Sequence, residues 1–196
     1  MIELKTLALE NKGFVFQKDP SLEGSTIKSK DGREIMVAKD GCALISLYNA
    51  LKLCGYQKSF EEYGQELASG ECFDENGQIN WLNLNKLSLN LRFVWMQDNE
   101  ITNCEKVSVD RLKQCGLESE NIAIIKVQSL YGADRRHFMV FIELVDGNVI
   151  CLESSGKSAN IEVRSIPSEE ILGVRYLKRQ ATSNSNVMPD LDSNQD

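Results

Sequence analysis

The sequence is poor in several features that mark particular classes of protein. It has one histidine, His137, and 3 prolines among 196 residues. Its 22 lysines and arginines are outnumbered by 29 aspartates and glutamates, which gives a net charge of −7. That balance argues against a general nucleic-acid binder, which needs a basic surface. No apolar run approaches the roughly 20 residues that cross a bilayer. Any mechanism that needs an imidazole depends on His137.

The amino-terminal segment lacks the pattern of a secretory signal peptide. Residues 1–16 carry Glu3 and Glu10 and contain no continuous apolar stretch. We therefore expect a cytoplasmic protein without a membrane span. Delivery elsewhere by a route other than Sec is compatible with the same residues. The sequence gives no indication of the oligomeric state.

The six cysteines are unclustered, and no two of them are spaced as CxxC or CxxxC. Together with a single histidine they provide no zinc-ligand spacing, so we expect no metal site and no cofactor. A chain of this length without an export signal does not need disulfides. Cys72 lies in a polar stretch that suits an exposed thiol, and Cys42 directly follows Gly41 at the start of an apolar run. The others are expected to be apolar packing residues: Cys54, Cys104, Cys115 and Cys151.

The hydrophobic pattern predicts helices first and an antiparallel sheet second, an α+β fold. Helices are predicted from Cys42 to Gly55, after a Ser59–Glu62 capping box, over Ile79–Leu89, and over Val109–Cys115. Strands are predicted over Arg33–Ala38, Leu91–Met96, Asn121–Val127, His137–Val145 and Asn148–Leu152, with edge strands at Ile161–Val163 and Val174–Leu177. We expect one domain over residues 1–178 and a disordered acidic tail over residues 179–196.

Three residues form a candidate catalytic set. Cys42 begins the apolar helix, where the helix dipole and free amides favour a thiolate. A cysteine nucleophile needs a general base, and that base needs an orienting group. The Asp146-Gly147 pair predicts a tight hairpin, which brings Glu153 at the end of its second strand beside His137 at the start of its first. The set is therefore Cys42, His137 and Glu153.

Three motifs then resemble one known family. The run from Asp40-Gly41-Cys42-Ala43 through Ser46 to Gly55 resembles the nucleophile helix of papain-like cysteine peptidases of the bacteriocin-processing, double-glycine type. His137-Phe138-Met139-Val140 and the turn that follows are similar to the histidine hairpin of that family. Phe16-Gln17-Lys18-Asp19-Pro20 resembles the Gln-x-Asp-Pro segment of its stand-alone members. The similarity spans residues 14–156.

The resemblance implies a papain-like fold, with Cys42 on a helical lobe, His137 on an antiparallel sheet and the active site between them. It implies that Cys42 attacks a carbonyl, that His137 transfers the proton, and that Gln17 and the Cys42 amide stabilise the oxyanion. The expected function is hydrolysis of a peptide or other amide bond, in a peptide or protein substrate, by a triad completed by Glu153. The candidate substrate-binding residues border this site: Asp40, Gly41, Tyr131 and Arg136.

Two departures from the family pattern leave other functions open. Glu153-Ser154 stands where the family commonly has Asp-Pro, and Leu22 lies near the place of its usual Trp. A catalytically inactive papain-fold module that binds a peptide or a partner protein is therefore one alternative. An acyltransferase or deamidase that uses the same triad is another.

Overall fold

A computed structural model gives the fold of residues 13–102, 107–129, 136–154 and 163–180, without the side chains of residues 39 and 40. Within these residues the chain is a mixed α+β protein with four α-helices and eight strands. The helices are α1 (Val37–Asp40), α2 (Cys42–Leu53), α3 (Phe60–Ser69) and α4 (Val109–Leu112). Three 3₁₀ turns lie at Pro20–Leu22, Trp81–Lys86 and Ser168–Glu170.

The strands form a small hairpin and one large antiparallel sheet. The hairpin pairs β1 (Thr26–Lys28) with β2 (Glu34–Met36). The sheet has six strands in the order β3-β8-β4-β5-β6-β7, with every neighbouring pair antiparallel. Its strands are β3 (Leu91–Asp98), β4 (Asn121–Gln128), β5 (Arg136–Val145), β6 (Asn148–Leu152), β7 (Val163–Pro167) and β8 (Ile171–Arg179).

Helix α2 is the buried helix that positions the site. It begins at the predicted Cys42 and ends two residues before Gly55, where the chain turns with a positive φ of 81°. Nine of its twelve residues, from Leu44 onward, are buried, as expected for a helix that is apolar on most sides. It packs against β5 and β4 on one face of the sheet. The α3 capping box is also present, with both the Ser59 and the Glu62 side-chain bonds formed.

Hydrophobic cores lie on both faces of the sheet. The larger one fills the space between the helices and the sheet and includes Ile45, Leu47 and Leu51 of α2 together with Val140 and Ile142 of β5. The smaller one lies on the other face and includes Met139 and Phe141 of the same strand. Since side chains of a strand alternate between faces, the middle of β5 is buried on both sides, with one core on each face of the sheet.

The predicted helix over residues 79–89 is wrong. The structure has a 3₁₀ turn at Trp81–Lys86 instead. Trp81 and Leu84 are buried, whereas Leu82 is 66% exposed, so one of the leucines that suggested helical spacing faces solvent. The side-chain amide of Asn83 donates to the Glu71 carbonyl, and the side-chain amide of Asn85 donates to the Phe93 carbonyl. These bonds hold the turn between α3 and β3 without a regular helix.

Two further details differ from expectation. Strand β8 contains the predicted Val174–Leu177 segment, but it lies between β3 and β4 rather than at an edge. Cys72, expected at the surface, is fully buried, and burial raises its pKa to about 11. It lies three residues after the end of α3, where its backbone N–H donates to the Leu67 carbonyl and its side chain belongs to the larger core.

The structure describes neither the first twelve residues nor those after residue 180. Strand β8 ends at Arg179, and the predicted tail beyond residue 180 lies outside the described residues, as do residues 1–12. Among the described residues, no helix is long and apolar enough to cross a membrane.

Candidate active site

Cys42 lies at the amino terminus of α2 because α1 and α2 meet at Gly41. The Gly41 amide closes α1 on the Val37 carbonyl at 3.0 Å, and its carbonyl accepts the first α2 bond, from Ile45, at 2.8 Å. A β carbon at Gly41 would collide with the same Val37 carbonyl oxygen. A residue with a side chain therefore does not fit at this junction. The half-buried Cys42 thiol faces the sheet, 3.9 Å from the Arg136 carbonyl oxygen.

His137 and Glu153 are brought together by the β5–β6 hairpin. The predicted hairpin turn at Asp146-Gly147 has positive φ at both residues, 49° and 79°, as a type I′ turn requires. Oε1 of Glu153 bonds to Nε2 of His137. His137 is 8% exposed and Glu153 is 3% exposed. The only imidazole of the sequence is thus buried and bonded to a carboxylate.

The pKa of His137 reports its two neighbours. Burial alone lowers that pKa, but hydrogen bonding with the Cys42 thiol and with Glu153, together with the Glu153 charge, raises it to about 9. The protonated form of His137 is therefore favoured at neutral pH in this environment. An imidazolium beside a cysteine favours the thiolate, which is the nucleophilic form.

Two serines fix the strand that carries His137 against α2. Ser46, one turn after Cys42, donates its hydroxyl to the Phe138 carbonyl at 2.9 Å. Ser154 donates to the same carbonyl at 2.6 Å. The carbonyl next to His137 is thereby held from the helix on one side and from the end of β6 on the other. This double contact sets the distance between the Cys42 and His137 backbones.

The Gln17 segment crosses between α2 and the hairpin. The Asn49 amide of α2 accepts from the Val15 N–H at 3.0 Å and donates to its carbonyl at 2.9 Å. The Gln17 N–H donates to the Ser154 carbonyl at 2.8 Å, and Gln17 is buried. The main chain of Gln17 is therefore fixed one residue away from Glu153, next to the residues that hold His137.

The four predicted substrate-binding residues have different outcomes. Gly41 lies at the junction described above. Arg136 reaches Cys42 through its carbonyl, while its guanidinium donates to Glu100 at 2.7 Å and to Gln128 at 3.0 Å. Asp40 ends α1, but its side chain lies outside the described residues, and Tyr131 lies outside them altogether.

Arg164 is a residue that the sequence did not suggest. It lies on β7 opposite Cys151, and its Nη1 is 2.9 Å from Oε2 of Glu153. Nothing in the local pattern points to it, because the contact depends on β7 pairing with β6. The predicted edge strand ended at Val163, one residue short of it.

A second buried charged cluster lies on β3, β4 and β8, and we call it the sheet-centre cluster. Asp98 contacts Lys126 and Arg175, each at 2.6 Å, and all three are buried. A β carbon at Gly173 would lie 2.9 Å from the Asp98 carboxylate, so this glycine makes room for the cluster. This cluster was not predicted; the sequence signal that could have indicated it is a lone charge in each of two apolar strands, Lys126 and Arg175.

Comparison with known proteins identifies no relative: no protein-family model matches the chain, and no curated protein matches it significantly.

In the part of the chain that the structure describes, no group of three or more His, Cys, Asp or Glu side chains is arranged to hold a metal ion.

Proposed function

We propose that the protein is a cysteine hydrolase with a papain-like fold that cleaves a peptide or other amide bond. One observation carries the proposal: Glu153 bonds to His137, and the Cys42 thiol lies 3.9 Å from the carbonyl oxygen of Arg136, the residue before His137, although 16 and 95 residues of sequence separate Glu153 and Cys42 from His137. A nucleophile, a base and an orienting carboxylate within hydrogen-bond reach are the arrangement that covalent catalysis requires.

The proposed fold is supported by the relation of helix and sheet. Helix α2 presents Cys42 at its amino terminus and packs on β5, whose second residue is His137. The same arrangement is what the three family-like motifs imply. The Gln17 segment is bonded to α2 through Asn49 and to Ser154 after β6, which is consistent with the oxyanion role proposed for that residue.

The proposed reaction has two stages. The Cys42 thiolate attacks the carbonyl carbon, and the π electrons move to the oxygen, where the Cys42 amide and Gln17 stabilise the negative charge. When the C–N bond breaks, the amine takes the proton of His137 and leaves a thioester. His137 then accepts a proton from water, which attacks the thioester, and the C–S bond breaks to release the acid and restore the Cys42 thiolate beside protonated His137.

Glu153 acts on His137 rather than on the substrate. Its bond to Nε2 leaves Nδ1 as the ring nitrogen for Cys42. The carboxylate also stabilises the imidazolium that must form before the leaving group is protonated. Glutamate serves here in the place where the related family commonly has aspartate.

Selective alkylation tests this proposal, with Cys115 as the internal reference. Both thiols are half-buried, but burial raises the pKa of Cys115 to about 11. At pH 7 we expect iodoacetamide to modify Cys42 at least about tenfold faster than Cys115, because the thiolate is the reacting form. Peptide mapping by mass spectrometry measures both rates, and His137→Gln should remove the difference. Cys54→Ser, which changes another half-buried thiol, is the matched control and should leave it intact.

A pool of synthetic peptides distinguishes the alternatives. Cleavage by the wild type but not by Cys42→Ser supports hydrolysis. A mass change without cleavage supports deamidation or acyl transfer by the same residues. If Cys42 is no faster than Cys115 and no peptide changes, the inactive binding module is favoured and the proposed hydrolase is wrong.

A further inference from the structure

The carboxylate of Glu153 is divided between two strands. Oε1 bonds to His137 of β5, and Oε2 lies 2.9 Å from Nη1 of Arg164 on β7. Strands β5 and β7 lie on opposite sides of β6 in the sheet. With each oxygen held from a different side, the carboxylate cannot rotate about its last bond without breaking one contact.

Burial makes a second partner necessary for the charge. Glu153 is 3% exposed, and a buried carboxylate is stable in its charged form only when it is paired and hydrogen-bonded. His137 provides a compensating positive charge only while it is protonated, and it gives up that proton in the proposed reaction. Arg164 is charged at every working pH, and its side chain, 32% exposed, reaches Glu153 from near the surface.

We propose that Arg164 is a positioning residue of the candidate active site, which holds Glu153 ionised and aimed at Nε2 of His137. The role rests on the proposed function, since it extends the triad to a fourth residue. Arg164 does not contact the reacting atoms. It acts through Glu153, so the orientation and charge of His137 depend on β7 as well as on the hairpin.

Among the residues that the structure describes, the charged and titratable groups facing Glu153 come from four elements. His137 faces it from β5, Arg164 from β7, and the Cys42 thiol of α2 through His137. On β6 itself, Cys151 lies two residues away, and its pKa is raised by burial first and by the Glu153 charge second. Direct repulsion by Arg164 would disfavour protonation of His137, whereas support of the Glu153 charge favours it. The two effects have opposite signs.

The single histidine makes these signs measurable. In full-length protein labelled at histidine, NMR gives one titrating imidazole, with an expected midpoint near the pKa of about 9. Arg164→Met should lower that midpoint by about one unit or more, because the carboxylate that raises it becomes protonated or turns away. Arg164→Lys keeps a positive charge and should retain most of the wild-type value. Arg92→Met removes an exposed arginine at the opposite edge of the sheet and should change nothing.

The Glu153→Gln background separates a positioning role from a direct one. There, Arg164→Met should shift the His137 midpoint by less than about 0.3 unit, since the group through which Arg164 acts is gone. An equal shift in both backgrounds, a raised midpoint, or no shift in the wild-type background would overturn the role. If Arg164→Met fails to fold, Arg164→Gln takes its place in the same cycle.

These outcomes are independent of hydrolysis, because the titration needs no substrate. Selective alkylation of Cys42 with an unchanged midpoint in Arg164→Met would leave the proposed function standing and reject the Arg164 role. A lowered midpoint in a protein that cleaves no peptide would do the reverse.

Discussion

The sheet contains two buried charged clusters that differ in what their groups can do near neutral pH. The sheet-centre cluster consists of Asp98, Lys126 and Arg175; burial raises the pKa of Asp98, but hydrogen bonds from the two cations hold it below its ordinary value. The candidate active site consists of a thiol, His137 and Glu153, and its imidazole loses its charge as the pH rises through about 9. Similar burial and bond lengths therefore serve different ends, because only the second cluster can exchange protons during a reaction.

The two clusters are also linked. Glu100 accepts from Lys126 at 2.7 Å and from Arg136 at 2.7 Å, and these two cations hold the pKa of Glu100 down to about 2. The carbonyl of Arg136 is the one that faces the Cys42 thiol. Through Glu100, the sheet-centre cluster is thus connected to Arg136 at the start of β5, next to His137 of the candidate active site.

The largest expected effect on stability comes from removing the negative charge of Asp98 in the sheet-centre cluster. Asp98→Asn leaves Lys126 and Arg175 buried without their shared carboxylate and should lower the free energy of unfolding by about 3–5 kcal/mol. Urea denaturation measures this. Asp110→Asn, which breaks an exposed pair with Lys113, is the control and should leave the urea midpoint essentially unchanged. An Asp98→Asn protein as stable as the wild type would show that the cluster does not stabilise the sheet.

A smaller effect is expected from the pH dependence of the reactive cluster. The folded pKa of His137 is raised from 6.5 to about 9, so its contribution to stability is fully present below about pH 6.5 and is lost as the pH rises through 9. Between pH 6 and 10 the wild type should lose about 1–3 kcal/mol more than His137→Gln does. Chemical denaturation at several pH values checks this, and parallel curves for the two proteins would contradict it.

The smallest effect concerns the serine contacts that join α2 to β5. Ser46→Ala should lower the free energy of unfolding by about 1 kcal/mol, since the Phe138 carbonyl keeps its bond from Ser154. Ser69→Ala, which removes an exposed hydroxyl of α3, is the control. A loss above about 3 kcal/mol would mean that Ser46 holds the two elements together by itself.

Local signals in the sequence were enough to predict that Cys42 begins a buried helix and that His137 and Glu153 lie side by side. The apolar run after Gly41 predicts α2, and the Asp146-Gly147 turn predicts which ends of β5 and β6 lie together. Both depend on neighbours along the chain. The 3₁₀ turn at Trp81–Lys86 was mistaken for a helix because its leucine spacing does not show that the Asn83 and Asn85 amides bond to distant carbonyls.

Two buried charge contacts that the sequence did not predict depend on the order of strands. Arg164 reaches Glu153 only because β7 adds to β6, and Asp98 meets Arg175 only because β8 is inserted between β3 and β4. A strand pattern specifies which face a residue occupies, but not its neighbour across the sheet. Long-range pairing therefore fixes the surroundings of the site, whereas local pattern fixes its central residues.

The titration of His137 in wild type and in Cys42→Ser tests most directly whether Cys42, His137 and Glu153 act as one coupled unit. We predict a single imidazole with a pKa near 9 in the wild type and a lower value in Cys42→Ser, because the thiol contributes to the shift. A pKa near 6.5 that is the same in both proteins would contradict it.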